Sequence, residues 1–298
     1  MHAILHLTPG TPCWPAELDD IDDPPEELWI AGRAELLRRR PRVAVVGTRS
    51  PTPYGELQAA RVAAFLALQG VVIVSGLARG IDTAAHRGAL AGGGRTIAVL
   101  GHGVDVCYPP ENRALADEIA AHGALVSQFS PGAAPEAWHF PERNRTIAGL
   151  ALGVVVVEAA ERSGALITAS AAADFGREVY AVPGRITSET ARGPHGLLRD
   201  GATLVRSWID IVQELPSPWR DSVRDASIER RMTPGVDETT VLAALAVDEA
   251  QHIEEIIVRC GLMPARVGAA LVSLELTGHA RQLEGQRWAA IGARSGRR

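Results

Sequence analysis

The chain has 298 residues, 46% of them hydrophobic, with a formal net charge of −5, enough for one large domain or two smaller ones around a proper core. All 30 basic residues are arginine, which excludes a P-loop NTPase with its Walker A lysine and any lysine Schiff-base chemistry. No apolar run approaches the roughly 20 residues that span a bilayer. No signal-peptide pattern opens the chain, and Cys13, Cys107 and Cys260 lack the spacing of a disulfide framework or a zinc site. The expectation is a cytoplasmic protein with no membrane contact, no metal and no cofactor.

Residues 1–40 are proline-rich and carry eight acids against four arginines. They read as a short N-terminal leader with a helical stretch around 26–40. From Arg42 the pattern alternates. VAVVG (43–47) precedes a helix near 54–69, VVIVS (71–75) one near 81–91, and TIAVL (96–100) one near 111–121. ALVSQ (124–128) leads into an arginine-bearing loop; GVVVVEA (153–159) precedes a helix near 165–176; EVYAV (178–182), GATLV (201–205) and a helix near 207–214 complete the set. Short β-rich runs followed by helices and glycine turns predict βα repeats and a buried parallel sheet. The fold class is therefore α/β: an extended Rossmann-like parallel-sheet domain over 41–215. Residues 216–235 are polar and bounded by prolines, as in a linker. Helical patterns at 237–246, 251–259 and 264–277, then two short strands about Glu284-Gly285, predict a small winged-helix domain over 236–290, ending in a basic tail over 291–298. Its third helix holds one base, Arg266, and the module has eight acids against four arginines. That balance opposes phosphate contact, so the module is expected to meet protein or to regulate.

Open α/β sheets bind ligands at the carboxyl ends of their strands, where helix N-termini offer free N–H groups to anions. Gly47-Thr48-Arg49 follows the first strand; Arg49 fits either a phosphate contact or a tight turn with a solvated side chain. In SGLARGID (75–82), Ser75 and Gly76 precede Arg79, Asp82 is placed to cap the helix, and His86 reads as a packed helix residue. FPERNR puts Arg143, Asn144 and Arg145 behind Trp138 and Phe140, a combination suited to a backbone clamp beside a stacked base. Ser163-Gly164 opens the next helix, with Ser163 as its N-cap and a further hold on phosphate. Glu158 suits a catalytic or a structural role. GHG (101–103) is followed by no GxGxxG, and no acid stands about 20 residues on, so NAD is not expected. No GxSxG, HExxH or Cys–His pattern is present, and no residue is assigned to catalysis. The ligand is expected to carry phosphate.

The segments VAVVGTR, SGLARGID with AAHRGAL, YPPEN, FPERNRTIAGL, VVVVEA, RSGALITA, GREVYAVPG and LLRDGA, in this order over about residues 42–213, resemble the DNA-processing protein A family (DprA/Smf). The leader and the SLELTGHARQLEGQRW end are also similar. Gln128 and His195 depart from residues the family often carries. The resemblance implies a non-enzymatic protein that binds and protects single-stranded DNA, forms a homodimer through the Rossmann domain, and loads the RecA recombinase during natural transformation. Carried over by position, Gly47, Arg49, Ser75, Gly76, Arg79, Arg143, Asn144, Arg145, Ser163 and Gly164 would line the DNA groove, beside Phe140. The rival reading is a Rossmann-type nucleoside-monophosphate phosphoribohydrolase. Such enzymes show a PGGxGTxxE loop where this chain has RSGALIT. A winged-helix transcription factor is opposed by the third helix, whose one base is Arg266.

Overall fold

The computed structural model describes residues 3–38, 41–217, 219–223, 235–246, 249–276, 279–283 and 285–291. Most of the expected linker (218 and 224–234), the tail beyond 291 and Glu284 of the expected hairpin turn lie outside the described residues. Two compact units result, Met1–Val223 and Arg224–Arg298.

The first unit is built on a nine-stranded sheet. Its strands are β1 (Ile4–Leu7), β2 (Leu28–Gly32), β3 (Arg42–Val46), β4 (Val72–Ser75), β5 (Thr96–Leu100), β6 (Ala124–Ser127), β7 (Gly153–Val156), β8 (Glu178–Ala181) and β9 (Thr203–Leu204). Their spatial order is β1-β2-β6-β5-β4-β3-β7-β8-β9. β3 to β9 pair in parallel, and β1 and β2 add an antiparallel edge. Successive strand residues face opposite sides of a sheet, and here both sides are buried. Ala44, Val46, Val72, Val74, Val154 and Val156 pack into one core, whereas Val43, Val45, Ile73, Val155 and Val157 pack into another. That accounts for the continuous valine runs, which a one-sided sheet would not need.

Helices α1 (Pro53–Leu68) and α2 (Ile81–Ala91) cover the second core. They approach closely, because a Cβ on Gly88 would run into the Ala60 backbone. α3 (Arg113–His122) closes a smaller core over β5 and β6. The first core is covered by α4 (His139–Leu150), α5 (Gly164–Asp174) and leader residues such as Trp14, Leu18 and Ile21. α6 (Arg192–Arg199) and α7 (Trp208–Glu214) follow.

Two expectations are corrected. The leader is not helical around 26–40: it forms β2 and a 3-10 turn, Ala34–Leu37. Ile30 pairs with Val126 and Trp29 with Ser127 on the free side of β6, and that non-local pairing overrides local propensity. The arginine segment is not a loop but the first half of α4. Pro141 sits in the first turn, where its missing N–H has no helical partner to lose.

Arg42, at the start of β3, ties leader to sheet. Its buried guanidinium pairs with Glu17, donates through Nε to the Leu150 carbonyl at 2.6 Å, and donates to the Leu37 carbonyl. Burial, reinforced by Arg177, lowers its pKa to about 9. Removing one partner of such a pair leaves a charge stranded in low dielectric. Glu17→Ala is therefore expected to destabilise the protein by about 3 kcal/mol, with Glu17→Gln losing less. Urea unfolding followed by circular dichroism tests this, and an unchanged midpoint for Glu17→Ala would refute it.

In the second unit, helices Val236–Ala244, Ile253–Cys260 and Pro264–Leu276 pack with a three-stranded sheet of Gln251–His252, Arg287–Ala290 and Ala280–Leu283, in that order. Val241, Ile256, Val267, Leu271 and Trp288 form its core. The short strand Gln251–His252 was not expected from sequence; its pairing to Arg287 and Trp288 is again non-local.

Candidate functional site

The carboxyl ends of β3, β4 and β7 converge on one groove of about 660 Å³. Its walls include Gly47, Thr48 and Arg49 after β3, Phe140, Arg143 and Asn144 from α4, and Arg162, Ser163 and Gly164 ahead of α5. A narrower recess beside it is lined by Gly76, Arg79 and Tyr108 together with Arg49, Phe140 and Arg143. The two share a wall, so most of the expected site residues come together.

Arg143 forms the floor. It is only 4% exposed, and its Nη1 donates to the carbonyls of Gly76 (2.5 Å) and Val99 (2.6 Å). Gly76 has to be glycine here, since a Cβ would collide with the guanidinium. Burial lowers the Arg143 pKa to about 10, with Asp82 opposing and Arg49 adding to the fall; the group stays charged at neutral pH. Asp82 is buried as well, and burial pushes its carboxyl up while Arg143 draws it down. Asp82 does not cap α2, whose N-cap is Gly80 with no side-chain bond. Instead its Oδ2 accepts from the amides of Gly76 (3.1 Å) and Ala78 (3.3 Å), tying down the loop ahead of the helix. Between them Leu77 holds a left-handed φ of 56°, a conformation that costs about 1–2 kcal/mol for a residue with a Cβ. Asn112 holds it there: its Nδ2 donates to the Leu77 carbonyl and to Thr83 Oγ1, both at 2.9 Å.

Above this floor stand the exposed cations. The Arg49 guanidinium lies 5.5 Å from the centre of the Phe140 ring, and that of Arg143 lies 5.9 Å from it. Arg49 and Arg162 are exposed and form no ion pair among the described residues. Arg79 pairs with Glu111 across the mouth of the recess, both half-exposed, and that hydrogen bond holds the Glu111 carboxyl below its ordinary range. Ser163 caps α5, accepting from the Ala165 amide at 3.3 Å, and Asn144 Nδ2 donates to the Gly164 carbonyl at 3.2 Å. α4 and the α5 N-terminus are thereby clamped together.

Two expected site residues lie elsewhere. Ser75 is fully buried and its hydroxyl donates to the Val45 carbonyl at 2.7 Å. Arg145 lies over the Phe175 ring and donates to the Asp22 carbonyl of the leader. Residues two apart on a helix face opposite ways, so Arg143 and Arg145 cannot serve one groove. Arg162 and Thr48 line it without having been singled out. Glu158 is structural: it accepts from the Thr52 amide (2.8 Å) and hydroxyl (2.6 Å) at the start of α1. Among the described residues, no group of three His, Cys, Asp or Glu side chains could hold a metal ion, and no helix is long and apolar enough to cross a membrane.

Fold and groove together define a class: a Rossmann-like domain presenting guanidinium groups and helix N-termini at its strand ends, accompanied by a winged-helix unit. The chain belongs to the DNA recombination-mediator protein A family, whose model matches residues 6–216, and the DprA winged helix domain model matches residues 232–286. DNA processing protein DprA of Streptococcus pneumoniae is 47% identical over 206 residues, 68% of this chain and 71% of that one. Protein Smf of Escherichia coli is 39% identical over 281 residues, 92% and 74% of the two chains. The solved Streptococcus pneumoniae DprA superposes with a TM-score of 0.68 at 44% identity, covering 72% of this chain and 75% of its own. The Helicobacter pylori protein, solved to describe its single-stranded DNA binding mode, gives 0.65 at 30% identity, covering 72% and 96%.

His86 lies in the same buried layer. Thr96 Oγ1 donates to the Ile73 carbonyl, so it accepts from His86 Nδ1 at 2.7 Å, and the imidazole is neutral. Burial, with Arg143 adding to it, lowers the His86 pKa from 6.5 to about 3. The folded pKa is thus depressed. Its share of stability is complete above the unfolded value of 6.5 and is lost as pH falls toward 3, because the unfolded chain takes the proton first. His86→Asn should flatten the acid limb of stability in that window, where one such group adds at most about 1.4 kcal/mol per pH unit. Denaturant midpoints measured across the window check this, and parallel profiles for parent and variant would contradict it.

Proposed function

We propose that the groove binds single-stranded DNA with little sequence preference, protects it, and hands it to the RecA recombinase, with no bond broken in the process. The observation that carries this reading is the cluster of exposed guanidinium groups, Arg49, Arg79 and Arg162, around Phe140 above the buried charge of Arg143. Guanidinium groups and backbone N–H groups grip phosphate whatever the sequence, and an aromatic ring beside them gives an unpaired base a face to stack on. A duplex keeps its bases stacked inside and has nothing to offer Phe140. In this reading Gly47, Gly76, Asn144 and Gly164 shape the groove, Ser163 and the α5 N-terminus meet a phosphate, and residues 41–215 act as the DNA-binding part. RecA loading and a homodimer rest on family membership.

The test is titration of labelled oligo-dT against a duplex of equal length, with salt varied. Arg49→Ala should weaken binding to oligo-dT and lower the salt slope by about 0.7, the share of one phosphate contact on a single strand. Arg199→Ala, at a side chain that is 82% exposed and pairs with Asp200, removes the same charge and should leave the slope alone. Equal affinity for duplex and single strand, or equal losses in the two variants, would refute the reading.

We infer that the winged-helix unit is not a DNA-reading head. Arg266, the one base of its third helix, is bound by both oxygens of Asp237 at 2.9 and 2.5 Å. Deleting residues 236–298 is expected to change DNA affinity less than threefold; a tenfold loss, about 1.4 kcal/mol, would show that this unit touches DNA.

A further inference from the structure

A second cavity, of about 680 Å³, opens on the other side of the α1 N-terminus. We propose that it is a second nucleotide subsite of the same single strand, with the base against Tyr54 and the phosphate at Arg185, Thr187 and Ser188. The proposal rests on the reading of the first groove as the single-strand site.

Two loops line both cavities. From β3 into the first turn of α1, residues 47–49 face the first and Thr52 to Tyr54 the second; after β7, Glu158 faces the second and residues 160 and 162–165 the first. A strand leaving the first groove at Arg49 therefore meets Tyr54 next. Tyr54 is 46% exposed, and its hydroxyl donates to the Pro183 carbonyl at 3.0 Å. That bond stands the ring up as a wall between α1 and the loop after β8, leaving a face free. Stacking on such a ring is indifferent to base identity, which matches the sequence tolerance of the first groove.

Across from it runs Pro183-Gly184-Arg185. The loop is anchored from α6, since His195 Nε2 meets the Gly184 carbonyl at 3.0 Å. Arg185 is exposed and forms no ion pair among the described residues. Thr187 is exposed too, and Ser188 Oγ lies 3.0 Å from Thr190 Oγ1, so both present hydroxyl groups beside the guanidinium. The one acid among the described residues that line the cavity, Glu158, is 5% exposed and occupied by Thr52. It repels a phosphate from the α1 side of the cavity and leaves the Arg185 side open. The polarity of the cavity thus fixes the nucleotide's orientation.

The experiment uses the full chain and labelled oligo-dT of two lengths, about six and about eighteen nucleotides, within and beyond the usual site size of one binding module. Tyr54→Ala should weaken the long probe about tenfold while the short probe, held in the first groove, changes less than twofold. Tyr54→Phe keeps the ring and should retain most of that affinity. Arg185→Ala should lower the salt slope of the long probe by about 0.7 and leave that of the short one. Melting midpoints equal to the parent's establish that the variants are folded; Arg185, exposed and unpacked, stays informative if Tyr54→Ala is not. Parent-like binding of both probes by Arg185→Ala and Tyr54→Ala would overturn the second subsite and leave the first groove standing. Equal losses on both probes would also overturn it, because the cavity would then not be separate. If the parent binds neither probe, the first reading fails and takes this one with it.

Discussion

The groove depends on a buried guanidinium. Arg143 enters the first unit from α4 and donates to carbonyls at the ends of β4 and β5, so it ties α4 to the carboxyl ends of two neighbouring strands of the sheet. Its charge is tolerated because Asp82 lies in the same layer, and Asp82 in turn gathers the amides of Gly76 and Ala78. The requirement for glycine at 76 and the left-handed turn at Leu77 both follow from that packing. The electrostatics follow as well. A protein of net charge −5 has no global attraction for phosphate, but a cation in low dielectric is screened far less than one in water. Its field emerges through the groove mouth, where Arg49, Arg79 and Arg162 add to it.

How much of this the sequence discloses varies with how local the cause is. The inner parallel strands β3 to β7 are legible because each is a run of four or five mostly apolar residues buried on both faces. β2 is not, because LWIAG becomes a strand only by pairing with β6, nearly a hundred residues on. α4 is hidden for a different reason. Its buried side includes His139, Arg143 and Thr146 as well as Ile147 and Leu150, so polar residues occupy positions that a hydrophobic pattern expects to be apolar. Treating RNR as a loop then grouped Arg143 with Arg145, which helical geometry sends to the groove floor and the leader respectively. Ser75 was grouped by motif and turns out to serve the sheet. Arg162 was overlooked, although its place one residue before the Ser-Gly turn put it at the mouth of a helix N-terminus.

The two units divide the chain's charge differently. In the first, three acids are drawn inward or onto a helix start: Asp82 under the groove, Glu158 at the start of α1, Glu17 on Arg42. Arginines at the strand ends are left facing out. In the second, the one arginine of the third helix is already held by Asp237, and the surplus acids remain. A polyanion therefore finds complementary charge on the first unit and repulsion on the second, whatever the overall balance.

One exposed pair departs from this pattern, and its placement has a use. Glu111 sits in the first turn after Pro110 and holds Arg79 across the recess. Both partners are half in water, where an ion pair is weak and readily exchanged. In the proposed function, a phosphate arriving at the recess would compete with the Glu111 carboxylate for the half-exposed Arg79 guanidinium. The deeper charge of Arg143 has no such freedom, because the side chain is buried and its Nη1 is committed to two backbone carbonyls. The groove thus combines a fixed cation that sets the potential with surface cations that make and break the contacts. That division suits a ligand gripped along its backbone and then released to another protein, since the exchangeable contacts can be surrendered one at a time while the floor stays intact.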